Sequence, residues 1–157
     1  MGPTNRYMRK LGPLLALLAW VASGQAQTKI LLNLDKNGLA LQGYDPVAYF
    51  TENKPVKGRM EFRSVYRGAT YYFASSEDKA RFDKEPAKHE PAYGGFCAYG
   101  LSRNKLVEVD PEAFQIVEGR LLLQYNKGVR NEFNKDTQGN LTKANANWPA
   151  LVEKKGK

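Results

Sequence analysis

One cysteine and one histidine occur in the 157 residues, Cys97 and His89. A thiol and an imidazole are the side chains that most readily hold a soft metal or drive nucleophilic chemistry, so these two set the chemical question. They stand eight positions apart (97 − 89). That spacing matches no standard zinc pair, and a structural zinc site wants four ligands. Copper or zinc held by Cys97 and His89 would need carboxylates, Met60 or a tyrosine to complete its shell. A histidine beside Glu90 and Pro91 is otherwise an ordinary surface group with a partner. For Cys97 three uses stay open: core packing of a small thiol with apolar neighbours, ligation of a metal or haem, and a reactive redox thiol. The last is helped if a helix begins just after Gly94-Gly95, because its first amides would face the sulfur.

The nine tyrosines offer a second chemistry. Tyr44, Tyr72, Tyr93 and Tyr99 are the candidates to line a concave ligand pocket, since such sites are commonly aromatic. Cross-strand and core packing is the competing use. Asp45, Asp78, Glu108 and Asp110 are accounted for by caps and turns before any acid–base role. No Ser/His/Asp ordering, phosphate-cradling glycine loop or dinucleotide fingerprint occurs. Catalytic residues are therefore unassigned, no organic cofactor is called for, and a non-enzymatic protein is favoured.

The elements that must position these groups follow from periodicity. Lys29 to Leu34 is β-prone and closes on an Asn37-Gly38 turn, with a strand resuming over Leu39 to Gly43. Asp45-Pro46 reads as a helix cap with proline at the first helical position, opening a short helix through Phe50. Met60 to Tyr66 alternates apolar and polar residues, turns at Arg67-Gly68 and returns over Ala69 to Ala74. Ser75 then caps a helix to about Lys84, with Phe82 as its apolar anchor, and Pro86 opens one more turn ending near His89. Val107 to Val109 predicts a short strand. A second hairpin joins Phe114–Val117 to Leu121–Tyr125 through Glu118-Gly119. Amphipathic stretches over Asn126–Phe133 and Leu141–Leu151 close the domain, with Trp148 and Val152 as packing residues. No internal repeat is legible.

Arg6, Arg9 and Lys10 precede a 12-residue apolar run, Leu11 to Ala22, too short to span a bilayer core that needs about 20 residues. Gly24-Gln25-Ala26 fits the small-x-small cleavage pattern of a secretory signal peptide. The expected organisation is a signal peptide over 1–26, an amino-terminal segment over 27–38, one domain over 39–152 and a basic tail over 153–157. The product would be exported, periplasmic or secreted, with no stable membrane anchor once the signal is removed. Cleavage after Ala26 would remove three basic and no acidic residues, lowering the formal net charge from +8 to +5. A surplus this dispersed serves solubility and argues against a nucleic-acid partner. With a single Cys no internal disulfide can form, and in an oxidising compartment a lone thiol has to be buried or occupied.

Tyr71-Tyr72-Phe73-Ala74-Ser75, followed by Phe82 and Pro86, resembles the core of a YHS domain. So does the Asp45-Pro46-Val47 turn. The flanks Gln42-Gly43-Tyr44-Asp45-Pro46-Val47-Ala48-Tyr49-Phe50, Tyr93-Gly94-Gly95-Phe96-Cys97-Ala98 and Asn145-Ala146-Asn147-Trp148-Pro149 are similar to exported bacterial members. The resemblance runs from about Leu39 to Leu151 and implies a small treble-clef-like, metal-handling module. In metal-binding members one Cys follows the Asp-Pro-Val turn and two more flank the start of the next helix. Those positions are Ala48, Ala74 and Asp78 in this chain, so the family's thiolate site does not carry over. The expected fold is α+β, a small antiparallel sheet of hairpins with short helices. The expected function is an exported binding module whose partner is a metal ion, a small ligand near Cys97 or a protein. A Cys97-dependent thiol enzyme and a structural domain that has lost its metal site are the alternatives.

Overall fold

Arg67 and Gly68 take positive φ, 51° and 85°, in the computed structural model, which describes Gly2 and residues 27–157. Two successive residues at positive φ form the turn whose twist matches a tight hairpin. They join β1 (Arg59–Tyr66) to β2 (Ala69–Phe73) as an antiparallel pair. Ser75 follows in extended conformation, and its hydroxyl accepts the Asp78 amide at 3.1 Å to start α2 (Ser76–Lys84). Phe82, on that helix, is buried against the rings of Tyr71, Phe73 and Tyr66. Pro86 opens α3 (Pro86–His89). The segment expected to direct export lies, Gly2 apart, outside the described residues.

The same construction recurs. Glu118 and Gly119 take positive φ and join β3 (Asp110–Val117) to β4 (Arg120–Gln124). Every pairing of this second hairpin lies 51 positions after its counterpart in the first, from Arg59↔Phe73 with Asp110↔Gln124 to Tyr66↔Ala69 with Val117↔Arg120. Both carry their register shift at the equivalent place. Asn126 stands where Ser75 does and accepts the Val129 amide at 2.8 Å to cap α5 (Lys127–Asn134). Phe133 stands where Phe82 does and is equally buried. Even α6 (Thr137–Lys155) begins 51 residues after α3.

Upstream the correspondence continues with a one-residue shift. A 3-10 turn at Leu41–Gly43 precedes α1 (Ala48–Thr51), and a 3-10 turn at Ala92–Gly95 precedes α4 (Ala98–Ser102). Leu41, Gln42 and Gly43 have positive φ, as do Tyr93, Gly94 and Gly95. Parallel bridges Leu39↔Thr70 and Pro91↔Leu121 attach each turn to the inner strand of its own hairpin. Residues 39–155 are thus two copies of one structural unit, which the sequence did not reveal. The architecture is α+β as expected, with two antiparallel two-stranded sheets and six helices among the described residues.

Three expected strands are replaced by irregular backbone. Lys29–Leu34 is extended but bonds singly to different partners: Asn33 N to the Gly94 carbonyl at 2.8 Å, and Ile30 with Lys157 in both directions at 3.0 Å. Leu39–Gly43 makes isolated bridges because the Asp35 carboxylate gathers the Asn37 and Leu39 amides into a tight loop. Val107–Val109 serves other elements with its carbonyls, accepting from Cys97 N and from the Gln42 side chain. Helix α6 exceeds its expected bounds at both ends. It starts at Thr137 on an Asp136 cap and runs through Pro149 to Lys155. Its 19 residues are not apolar, and among the described residues no helix is long and apolar enough to cross a membrane.

Equivalent anchors should cost alike. Phe82→Ala and Phe133→Ala are each expected to destabilise the fold by about 3–5 kcal/mol, the range for emptying a buried aromatic site. Urea unfolding followed by circular dichroism measures both. A near-neutral effect at either position would break the equivalence of the two units.

Candidate functional site

A concave feature lies where the first unit passes into the second. It is a cleft of about 320 Å³ beside the second 3-10 turn, at the lower end of the range for ligand sites. The strap Lys29–Leu32 forms one wall, Arg67 and Arg120 stand at the rim, and Tyr93 and Trp148 supply aromatic surface. Gly94 lets the strap in. At φ 61° it occupies the left-handed region, and a Cβ there would overlap the Leu31 carbonyl oxygen, so a side chain would expel the strap. The Tyr93 hydroxyl donates to Asn145 Oδ1 at 2.8 Å, and the Arg120 guanidinium donates to the same oxygen at 3.2 Å. That guanidinium lies 4.9 Å over the Tyr93 ring, whose other neighbour is the Trp148 indole at 6.0 Å, edge to face. Burial pushes the Tyr93 phenol above its ordinary pKa, partly offset by Arg120.

A crevice beside the first 3-10 turn, closed partly by Gly95, Glu108 and Val109, provides a comparison. Beside Leu41 and Gln42 it measures about 100 Å³ and is lined by the acids Asp35 and Glu108. The cleft of the second unit is larger and carries Lys29, Arg67, Lys88 and Arg120 against Glu90 alone. One backbone, duplicated, has been given two different pockets.

Of the four candidate tyrosines, Tyr93 lines this cleft. Tyr44 stacks under the Lys57 ammonium at 4.2 Å. Tyr72 sits half-buried on β2 opposite Arg63. Tyr99 receives the Arg103 guanidinium on its hydroxyl at 2.7 Å. None of these three lines the clefts described. Arg120 and Trp148 are the site residues that the sequence reading missed as ligand contacts. Trp148 was legible only as packing, and Arg120 only as part of a hairpin.

Cys97 is 1% exposed and caps α4: its Sγ accepts the Gly100 amide at 3.4 Å and donates to Gln124 Oε1 at 3.4 Å. The same amide oxygen accepts the Tyr99 amide at 3.0 Å. Asp45 does the matching work in the first unit, fully buried. Its Oδ1 accepts Val47 N at 2.8 Å and Ala48 N at 3.3 Å, and its Oδ2 accepts Ala74 N at 2.8 Å. The backbone agrees, because Asp45 N bonds to the Val56 carbonyl and Cys97 N to that of Val107. His89 is 6% exposed, with Nδ1 on the Glu85 carbonyl at 3.0 Å and its ring edge-on to Phe50 at 5.4 Å. Burial lowers its pKa, against the pull of the Glu85 carbonyl. No three His, Cys, Asp or Glu side chains converge into a metal-binding group among the described residues, so His89 and Cys97 are not brought together in one.

Residues 47–93 match the family model of the YHS domain. The match runs from the start of α1 to Tyr93, nearly the whole first unit. No curated protein and no solved structure matches the chain. The family's thiolate positions hold Ala48, Ala74 and Asp78, and two of the three bear no donor atom. The amides of Ala48 and Ala74 are bonded to Asp45, which fills the space between them. Near Cys97, Gln124 Nε2 has no partner among the described residues, and an N–H donor has the wrong polarity to receive a cation. Neither place fits a soft metal ion.

Asp45 makes stability depend on pH. Burial, aided by the nearby Asp78 carboxylate, raises its pKa to about 6, although the Ala74 and Val47 amides pull it down. The folded protein therefore binds this proton more tightly than the unfolded chain, and stability should fall as pH rises from about 4 through 6. Asp45→Asn should abolish that slope. It should also cost about 1–3 kcal/mol, because an amide –NH₂ would meet a backbone N–H where the carboxylate had accepted one. Chemical denaturation at half-unit pH steps measures both effects. An unchanged slope in the variant would remove Asp45 as its source.

Proposed function

We propose that this YHS domain-containing protein is an exported, non-enzymatic binding module that holds a small molecule in the cleft between its two units. One observation carries the reading. The cleft beside the second 3-10 turn carries Trp148 and four cations, whereas the crevice beside the first 3-10 turn is smaller and carries Asp35 and Glu108. Packing alone gives no reason for that divergence, whereas a ligand does. Export rests on the basic, apolar and small-residue series of residues 1–26.

A thiol enzyme finds no support in the surroundings of Cys97. The sulfur is buried as a helix cap, and the base a nucleophile requires is not brought to it. Copper or zinc carriage finds none either, since among the described residues no three His, Cys, Asp or Glu side chains converge.

Trp148 is the natural reporter. The full chain has one other tryptophan, Trp20, so Trp20→Phe leaves a single indole, in the cleft. A screen of small organic anions, cations and neutral aromatics should yield compounds that shift its fluorescence and lose the effect in Tyr93→Ala. A screen without such compounds would favour a structural domain instead. In the same protein, Cys97 should resist Ellman's reagent until unfolding and then titrate as one thiol. Rapid labelling of the native protein would reopen the thiol chemistry.

A further inference from the structure

The charges around the cleft go a step beyond that reading, on which this inference rests. Four cations line it, and three have an acidic partner. Lys29 is held by Glu153 at 2.6 Å, Lys88 by Glu85 at 3.7 Å and Arg67 by Glu90 at 3.3 Å. Arg120 has no acidic partner among the described residues. Its bond goes to a neutral amide oxygen, and its plane rests on an aromatic face. A guanidinium held this way keeps further N–H groups for an oxygen pair, and a carboxylate matches that fork. Ring stacking fixes its orientation before any ligand arrives. The body of the ligand is constrained as well. Trp148, backed edge to face by the buried Tyr93 ring, offers apolar surface, which Ile30, Leu31 and Pro91 extend. A volume of about 320 Å³ accommodates a ligand as small as a single ring system.

We propose that the cleft takes a small aromatic monocarboxylate, its ring against Trp148 and its carboxylate on Arg120, which the buried Tyr93 ring holds in place. Inorganic anions lack the surface that the aromatic wall would cover, and neutral aromatics leave Arg120 unanswered. Glu90, on the same cleft, opposes the incoming charge and occupies Arg67, so it weakens binding and selects against ligands with two charges.

The test uses the full chain carrying Trp20→Phe, titrated at low salt with benzoate, benzyl alcohol and inorganic phosphate. Trp148 fluorescence and the amide shifts of Tyr93, Gly94 and Arg120 report binding. Benzoate should saturate the site, with benzyl alcohol and phosphate each weaker by about tenfold or more, the scale of one charge-assisted pair. Arg120→Gln, which keeps a stem over Tyr93, should lower benzoate affinity about tenfold while leaving benzyl alcohol unchanged. Glu90→Gln should tighten benzoate by a few-fold. Thermal melts of both variants separate lost binding from lost fold. Benzyl alcohol binding as tightly as benzoate would overturn the carboxylate assignment while leaving the cleft a binding site. Phosphate equalling benzoate would overturn the aromatic part. Silence from all three probes would overturn the inference, and the wider binding reading would fall with it only if the broad Trp148 screen were also silent.

Discussion

A carboxylate removed from water needs an acceptor's full complement of donors, and Asp45 finds three of them in backbone amides. Val47 and Ala48 come from the turn into α1, and Ala74 from the end of β2. Two stretches that would otherwise splay apart, the turn into α1 and the end of β2, are thereby held at one point. Everything on the first unit's core side then has a fixed place to pack. Tyr49 reaches across to the Pro111 carbonyl with its hydroxyl and meets Phe114 edge-on at 4.8 Å. Loss of any one donor would leave part of a buried charge unpaired, and for that reason the position tolerates little.

The second unit solves the same problem with weaker chemistry. Cys97 occupies the place of Asp45, but a thiol accepts one amide poorly where a carboxylate accepts three well. Gln124 makes up the difference by accepting the Tyr99 amide and the thiol hydrogen from the next strand. The lone cysteine, the residue that first draws the eye in this sequence, is therefore a cap with a helper. A carboxylate in the first unit and an amide network in the second tie these loops.

Duplication explains how a small fold came by a cleft. Each unit brings a hairpin, a capped helix with a buried phenylalanine and a left-handed 3-10 turn, and the junction leaves a seam that neither unit fills alone. The strap Lys29–Leu32 and the long α6 cover that seam from two sides. The first unit's version stayed narrow and acidic. The second acquired Arg120 at a position where the first has Ala69, fully buried. A repeated scaffold frees one copy to hold the fold while the other changes its surface.

Local rules were enough for both hairpins, the Ser75 cap, the Pro86 turn and the Phe82 anchor, because each depends on residues a few positions apart. The α+β class and the kinship carried by residues 47–93 were legible for the same reason. The repeat was not, since its two copies share backbone requirements rather than residues: Tyr71-Tyr72-Phe73 corresponds to Leu122-Leu123-Gln124, and Ser75 to Asn126. Positive φ, a capping oxygen and a buried ring can each be met by several side chains, so equivalence survives where identity does not. The site lay further still beyond local reasoning. Tyr93, Arg120, Asn145 and Trp148 come from a turn, a strand and a helix, and only the packing of those elements brings them onto one wall. The sequence by itself determined which short stretches turn, cap and bury. Tertiary structure alone decided that the single thiol and imidazole are core groups and that charge and aromatic surface meet at the seam, because those properties belong to separations in space.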